Sequence, residues 1–216
     1  MSRLFVVMAF LLGSTVTATA ASAESETAQR YANCLVQLHP DQVRALLQAT
    51  TAETAGRPYQ SLANDDRCFS RVFGDQRFTP DDASVSMDML RGRLAEQELL
   101  SQSAQVAALQ ALPLQQKRYI RPWFAATGRH PAVDEMAACM ADTDPAGIMA
   151  IVRTTPGFAD ENAALGALSP ALTKCLSAGT RLDASRQALR AALADALYQR
   201  LNNPALSMVQ PPPSGK

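Results

Sequence analysis

The sequence predicts an all-α protein formed by tandem duplication of a small helical unit, with one disulfide in each copy and the two copies packed together as one helical bundle. Three observations lead to this prediction. Alanine and leucine dominate, aromatic residues make up only 6%, and runs that alternate valine or isoleucine with polar residues are absent. The four cysteines fall in pairs into two stretches, residues 28–99 and 133–198. These two stretches also repeat one residue pattern.

The first helix of each copy is predicted around a cysteine. When the chain is shifted by 105 positions, Cys34 meets Cys139. The neighbours that match at this shift recur at helical spacing, so each copy opens with an amphipathic helix that carries its cysteine on or near the apolar face. These neighbours are Ala28, Tyr31, Ala32 and Leu35 in the first copy and Val133, Met136, Ala137 and Met140 in the second.

The second helix of each copy is predicted to begin at a proline. His39-Pro40 and Asp144-Pro145 coincide at the same shift. Proline is favoured at the first helical position because the N–H it lacks would have no partner there. Asp144 is a good N-cap residue and His39 a poorer one. We therefore interpret His39 as a helix-cap residue rather than as a catalytic one.

The last helix of each copy is predicted from a recurring Leu-Arg-x-x-Leu-Ala-acid string. The shift is 107 where Cys68 meets Cys175 and 99 for this helix, which places length changes in loops around residues 56–60 and 74–82. We expect its leucines to be buried on equivalent faces and its charged residues to contact a neighbouring helix. The leucines are Leu90, Leu94, Leu189 and Leu193, and the charged residues are Arg91, Glu96, Arg190 and Asp195.

The N-terminus has the pattern of a cleavable secretory signal peptide. Arg3 supplies the positive charge, residues 4–12 are an unbroken apolar run, and Ala21-Ser22-Ala23 is a small-residue cleavage site before Glu24. The apolar run is shorter than the roughly 20 residues that span a bilayer. The sequence therefore predicts a periplasmic or secreted protein without membrane insertion.

The cysteines are predicted to form disulfides, because an even number of cysteines in an exported protein usually does. The duplication selects Cys34–Cys68 and Cys139–Cys175, one pair within each copy. A zinc site is the alternative, but it requires closely spaced ligands such as C-x-x-C, which the sequence lacks. No metal and no cofactor are predicted.

The predicted organisation has five parts. Residues 1–23 are the signal peptide, 24–112 the first helical repeat, 113–130 a basic and aromatic linker, 131–203 the second repeat, and 204–216 a disordered proline-rich tail. The last helix of the first repeat is expected to continue through residues 101–112.

The linker holds the candidate binding residues. From Leu99 to Val133 the chain has no Asp or Glu, and aromatic residues are interleaved with the basic ones there. Aromatic side chains offer flat apolar area and arginine offers forked donors, so the segment suits an anion, a glycan or a partner protein. The alternative is that its aromatic residues fill the groove between the copies. The candidate residues are Lys117, Arg118, Tyr119, Arg121, Trp123 and Arg129.

Catalytic motifs are missing from the sequence. His39 and His130 are far apart, and no nucleophile, metal-protease or phosphate-loop motif occurs. The 20 basic and 20 acidic residues balance, which gives no case for nucleic acid. We expect an exported, non-enzymatic helical repeat protein that binds a partner protein or an envelope component. The alternatives are a small-ligand-binding domain with a groove between the copies and an enzyme of unrecognised type.

Overall fold

The computed structural model describes residues 16–74, 86–115, 119–176, 179–180, 182 and 184–204, with side chains from Glu26 onward. The described residues form ten α-helices and one 3-10 helix, and none of them lies in a β-strand. The all-α prediction is therefore confirmed for this part of the chain. Residues 1–15 and 205–216, which hold most of the predicted signal peptide and tail, lie outside the described residues.

Six α-helices lie on the N-terminal side of the linker. They are α1 (Val16–Leu38), α2 (Pro40–Gln48), α3 (Ala52–Ala63), α4 (Asp66–Phe73), α5 (Met87–Ser101) and α6 (Ser103–Ala107). The 3-10 helix Pro122–Ala126 lies within the linker. Four helices follow, α7 (Pro131–Thr143), α8 (Pro145–Val152), α9 (Ala159–Cys175) and α10 (Arg186–Asn202).

The two helix starts predicted at proline are confirmed, since α2 begins at Pro40 and α8 at Pro145. Asp144 caps α8, where its Oδ1 accepts a hydrogen bond of 2.9 Å from the N–H of Gly147. His39 occupies the N-cap position of α2, but its side chain makes no capping bond. Its Nε2 lies 2.8 Å from Oδ2 of Asp65 instead. His39 is therefore the N-cap residue, as predicted, but its side chain does not cap the helix as that of Asp144 does.

The expected loop around residues 56–60 is wrong, because these residues lie inside α3. Between its second helix and its second cysteine, the N-terminal half has two short helices, α3 and α4, where the C-terminal half has the single helix α9. The two halves therefore differ here in the number of helices, and not by a loop within residues 56–60. The second expected loop lies largely outside the described residues.

The expected continuation of α5 is broken at Gln102, after which only the short α6 follows.

Both predicted disulfides are present. Cys34 joins α1 to Cys68 of α4, and Cys139 joins α7 to Cys175 at the end of α9. The Cα atoms are 5.6 Å apart in each pair, and the separations along the chain are 34 and 36 residues. Disulfides persist in oxidising compartments, so the two pairs indicate an oxidising extracellular environment.

The core lies around α5 and α10, which pack against each other. Helix α1 covers α5 on one side, and α7 covers α10. Leu90, Leu94 and Leu193 are buried as predicted, whereas Leu189 is only half-buried. Within the described residues, no helix combines the length and the apolarity that crossing a membrane requires.

Candidate functional site

Helices α5 and α10 are in close contact at Gly92 and Ala191. A Cβ atom on Gly92 would overlap the Cβ and the backbone of Ala191. Glycine is required here because the two helices leave no room for a side chain. The close contact brings the long side chains on both sides of it within reach of the opposite helix.

Two buried ion pairs cross this contact in opposite directions. Arg91 of α5 donates from Nε to Oδ2 of Asp195 on α10 at 3.1 Å. Arg190 of α10 donates from Nε to Oε1 of Glu96 on α5 at 3.0 Å. All four side chains are fully buried. The predicted charged contacts between neighbouring helices are therefore present, and each helix supplies one arginine and one carboxylate.

The same arginines also bind the C-terminal ends of two other helices. The Nη atoms of Arg91 donate to the carbonyls of Leu46 and Leu47 at the end of α2. Nη2 of Arg190 donates to the carbonyls of Val152 and Thr154, at and just beyond the end of α8, at 3.1 and 3.2 Å. The last carbonyls of a helix have no partner within its regular ladder, and the arginines supply donors to them. Leu46 also accepts from the N–H of Ala49, and Leu47 from Nε2 of Gln199.

Each central carboxylate binds a second arginine. Asp195 accepts from Nη1 of Arg129 at 3.0 Å, and Arg129 in turn donates to Asp134 at 3.2 Å. On the other side Glu96 accepts from Nη1 of Arg93 at 3.2 Å.

Arg190 extends the second set, because its Nη1 donates to Glu161 at 3.1 Å. The result is two buried chains of four alternating charges, each electrically neutral. They are Arg91–Asp195–Arg129–Asp134 and Arg93–Glu96–Arg190–Glu161.

The pKa values of two carboxylates in the chain Arg91–Asp195–Arg129–Asp134 are shifted in opposite directions. Burial opposes ionisation of Asp195, but Arg91 and Arg129 outweigh it and lower the pKa of Asp195. Burial raises the pKa of Asp134, and Arg129 and Thr127 only partly offset this. Burial alone would lower the pKa of Arg129, yet Asp195 and Asp134 together raise it. The arginines therefore stabilise the anionic form of Asp195, whereas burial favours the neutral form of Asp134.

The ion pairs link helices that are distant in the chain. Every carboxylate in the two chains is buried and bound by at least one arginine. His39 contacts Asp65 and also lies 3.1 Å from Nη2 of Arg67. Among the described residues, no three His, Cys, Asp or Glu side chains come together where they would hold a metal ion.

The structure buries the four candidate binding residues of the linker that it describes. Trp123 is 1% exposed and Tyr119 6% exposed. Arg121 is buried against Asp142, with Nη2 2.9 Å from Oδ2, and its guanidinium carbon lies 5.4 Å from the centre of the Tyr119 ring. Arg129 belongs to the buried charge chain described above. Lys117 and Arg118 lie outside the described residues.

Three large apolar side chains in the described part of the linker, or directly before it, are exposed. Leu112 is 43% exposed, Leu114 49% and Ile120 51%. We call these three residues the linker strip. Among the described residues only two other large apolar side chains are comparably exposed, Leu100 and Phe158.

Sequence reasoning identified four members of the charge chains at the helix crossing and missed the strip. Four of them, Arg91, Glu96, Arg190 and Asp195, are the charged residues that recur in the Leu-Arg-x-x-Leu-Ala-acid string. Arg93 stands at a variable position of that string, where the second copy has Ala192, and Asp134 and Glu161 lie outside it. Leu112 and Leu114 flank Pro113 and are two positions apart, which is not the spacing of one helix face. This spacing indicated that the two leucines do not lie together on the apolar face of a helix.

Comparison of the chain with protein-family models, with curated protein sequences and with solved structures finds no match.

Proposed function

We propose that the protein is exported, arose by tandem duplication of one helical unit, and acts by binding a partner protein without catalysing a reaction. In this proposal the two units pack as one bundle, and the partner binds at the linker between them. The observation that carries the binding function is the exposure of the linker strip.

The reciprocal ion pairs support the duplication. When two copies of a unit pack around a two-fold axis, each contact occurs twice with the roles exchanged. The pair Arg91–Asp195 is matched by Arg190–Glu96, and both arginines bind carbonyls at a helix end. Two disulfides of nearly equal chain separation fit the same origin.

The linker strip supports binding because exposed large apolar side chains are costly in water unless a partner covers them. Three of the five such residues in the described part of the chain fall within nine positions, from Leu112 to Ile120. The nearby aromatic residues Tyr119 and Trp123 are buried in the core. A protein partner fits this division better than a membrane surface, since membrane-interface binding uses exposed tryptophan and tyrosine.

Export is supported by the disulfides and by the signal-like N-terminus. The charge chains support the non-enzymatic assignment, because their carboxylates are occupied by arginine. The close contact of Gly92 with Ala191 leaves no groove at that point between the two central helices. These observations favour a binding protein over the small-ligand and enzyme alternatives.

Site-specific photo-crosslinking in the native envelope tests the binding function. A photoreactive residue at Leu114 should capture a defined protein, and one at Ile120 should capture the same protein. Phe158, which is similarly exposed at 48%, is the matched control and should not capture it. Equal capture from all three positions, or none from Leu114 and Ile120, would refute binding through the linker.

A further inference from the structure

The N-terminal half, from α1 to α5, is joined to the C-terminal half, from α6 to α10, at Gln102, which we call the hinge. Gln102 is the last cap of α5 and the first cap of α6. Helix α6 belongs to the C-terminal half, because it packs against α8 and its Val106 is buried. The linker is fixed to the same half through the bonds of Leu112 and Arg121 to Asp142. The chain therefore passes from one half to the other at a single residue.

The local sequence favours a continuous helix through the hinge. Residues 101–112 contain neither glycine nor proline, and most of them are alanine, glutamine or leucine, which are good helix formers. A break also leaves the first N–H groups of the second helix without the partners that a continuous helix supplies. The break is therefore imposed by tertiary packing, which holds α5 on α10 and α6 on α8 of the same chain.

The contact between the two halves is reciprocal. Gly92 of α5 contacts Ala191 of α10, which is the residue that matches it at the shift of 99 positions. Arg91 and Arg190 match at the same shift, and each binds a carboxylate of the opposite central helix. These contacts depend on which helices meet, and not on whether both helices belong to one chain.

We propose that two copies of this chain exchange halves through the hinge and form a reciprocal dimer. In each copy α5 and α6 join into one straight helix, which carries the N-terminal half away from its own C-terminal half. The α5 of each copy then packs on the α10 of the other, and the ion pairs form again between the copies. This inference goes beyond the proposed binding function and does not depend on the linker strip.

The exchange keeps the contacts between the halves and changes only the hinge. Each copy gains the backbone hydrogen bonds of a continuous helix and loses the contact of α5 with α6. Association costs the translational freedom of one copy, so a high protein concentration favours the dimer. The halves must separate before they exchange, so the monomer and the dimer interconvert slowly.

Size-exclusion chromatography with light scattering tests the exchange on the full exported chain, with both disulfides intact. Concentrated protein is held near the midpoint of its own thermal unfolding until the ratio of species is constant, and is then cooled and diluted. A dimer should form and should persist after dilution at low temperature, because its dissociation requires the halves to separate. A chain that stays monomeric at every concentration would overturn the proposal.

Substitutions at Gln102 test the hinge. Gln102→Ala and Gln102→Gly both remove the side-chain hydrogen bond to Glu98, but alanine favours a continuous helix and glycine disfavours it. The dimerisation constant should be about 30-fold larger for the alanine variant, because each dimer contains two hinges. Equal constants for the two variants would overturn the role of the hinge.

Ala163→Gly is the matched control for these substitutions. Ala163 is exposed within α9, a helix that is the same in the monomer and in the dimer. Glycine there weakens a helix by a similar amount and should leave the dimerisation constant unchanged. A fall as large as that of Gln102→Gly would overturn the proposal, because the effect would then follow general helix stability and not the hinge.

Isotope labelling distinguishes exchange from ordinary association. Light chains that carry photo-leucine are mixed with heavy-isotope chains before heating, and the mixed dimer is irradiated. Leu94 of α5 and Leu193 of α10 lie in the common core, so links between peptides of these helices should join a light chain to a heavy chain. Links that stay within one chain would overturn the exchange. No partner protein is involved, so failure of the exchange and failure of binding at the linker are separate outcomes.

Discussion

Arg91 and Asp195 form an ion pair in which neither side chain is exposed to solvent, with Nε 3.1 Å from Oδ2. The two residues are 104 positions apart in the chain, on α5 and α10. Asp195 also binds Arg129, so removal of one carboxylate leaves two guanidinium groups without their counter-charge. A buried pair contributes little net stability when intact, but breaking it is costly.

Asp195→Asn should therefore destabilise the protein strongly. The amide keeps the shape of the side chain but leaves Arg91 and Arg129 as uncompensated buried cations, at a cost on the order of 3–5 kcal/mol. The measurement is the free energy of unfolding from chemical denaturation. Asp41→Asn is the control, because the Asp41–Arg44 pair lies on the surface and should change stability by less than about 1 kcal/mol. Equal effects of the two substitutions would contradict the role of the network.

Stability should depend on pH in opposite senses through Asp195 and Asp142. The pKa of Asp195 is lowered in the folded protein, so its contribution is present above the unfolded-state pKa of about 3.9 and is lost as pH falls through the folded value. The difference in stability between the unmodified protein and Asp195→Asn should therefore narrow in acid. It would contradict this assignment if the difference were constant with pH.

The pKa of Asp142 is raised by burial, so the folded state binds its proton more tightly than the unfolded state. Its contribution to stability falls as pH rises from the unfolded-state pKa of about 3.9 through the folded value. In Asp142→Asn this decline should disappear from the curve of unfolding free energy against pH. A decline of the same size in the variant would show that another group causes it.

Gly92→Ala should destabilise the contact between α5 and α10. The added methyl group overlaps Ala191 and forces the helices apart, at a cost of roughly 1–3 kcal/mol despite the better helix propensity of alanine. Adding Ala191→Gly should recover part of this loss. Gly56→Ala within α3 is the matched control, since nothing lies within 4 Å of a Cβ there, and it should stabilise or leave the unfolding temperature unchanged.

The two disulfides should be reduced in order. Cys175 is half-buried, whereas Cys34 and Cys68 are buried, so the pair Cys139–Cys175 is the more accessible to a thiolate. Mild reduction followed by alkylation and peptide mapping should label Cys139 and Cys175 first. Simultaneous labelling of all four cysteines would indicate global unfolding before reduction.

The mature protein should begin at Glu24. Ala21 and Ala23 meet the small-residue requirement of signal peptidase. Helix α1 continues through this position, and its described core-facing residues begin at Tyr31, so cleavage leaves the buried part of the helix intact. N-terminal sequencing of native secreted material provides the test, and a sequence that starts at Met1 or Ser2 would remove the case for export.

The sequence by itself determined the features that depend on local spacing. Proline and helical periodicity located the starts of α2 and α8, and the repeated pattern selected both disulfides correctly. These predictions succeeded because proline at the first helical position and the face of a helix are fixed by residues only a few positions apart. The same local rules failed for residues 56–60, where an alignment gap was interpreted as a loop.

The tertiary structure decided which charges meet and which side of the linker is buried. Arg91 finds Asp195 only because α5 and α10 touch at Gly92. His39 finds Asp65 only because the N-terminal ends of α2 and α4 meet. The linker has no periodicity to show that Tyr119 and Trp123 point inward while Leu112 and Ile120 point to solvent. Burial depends on what packs against a residue from distant parts of the chain, and a single sequence does not encode that as a local pattern.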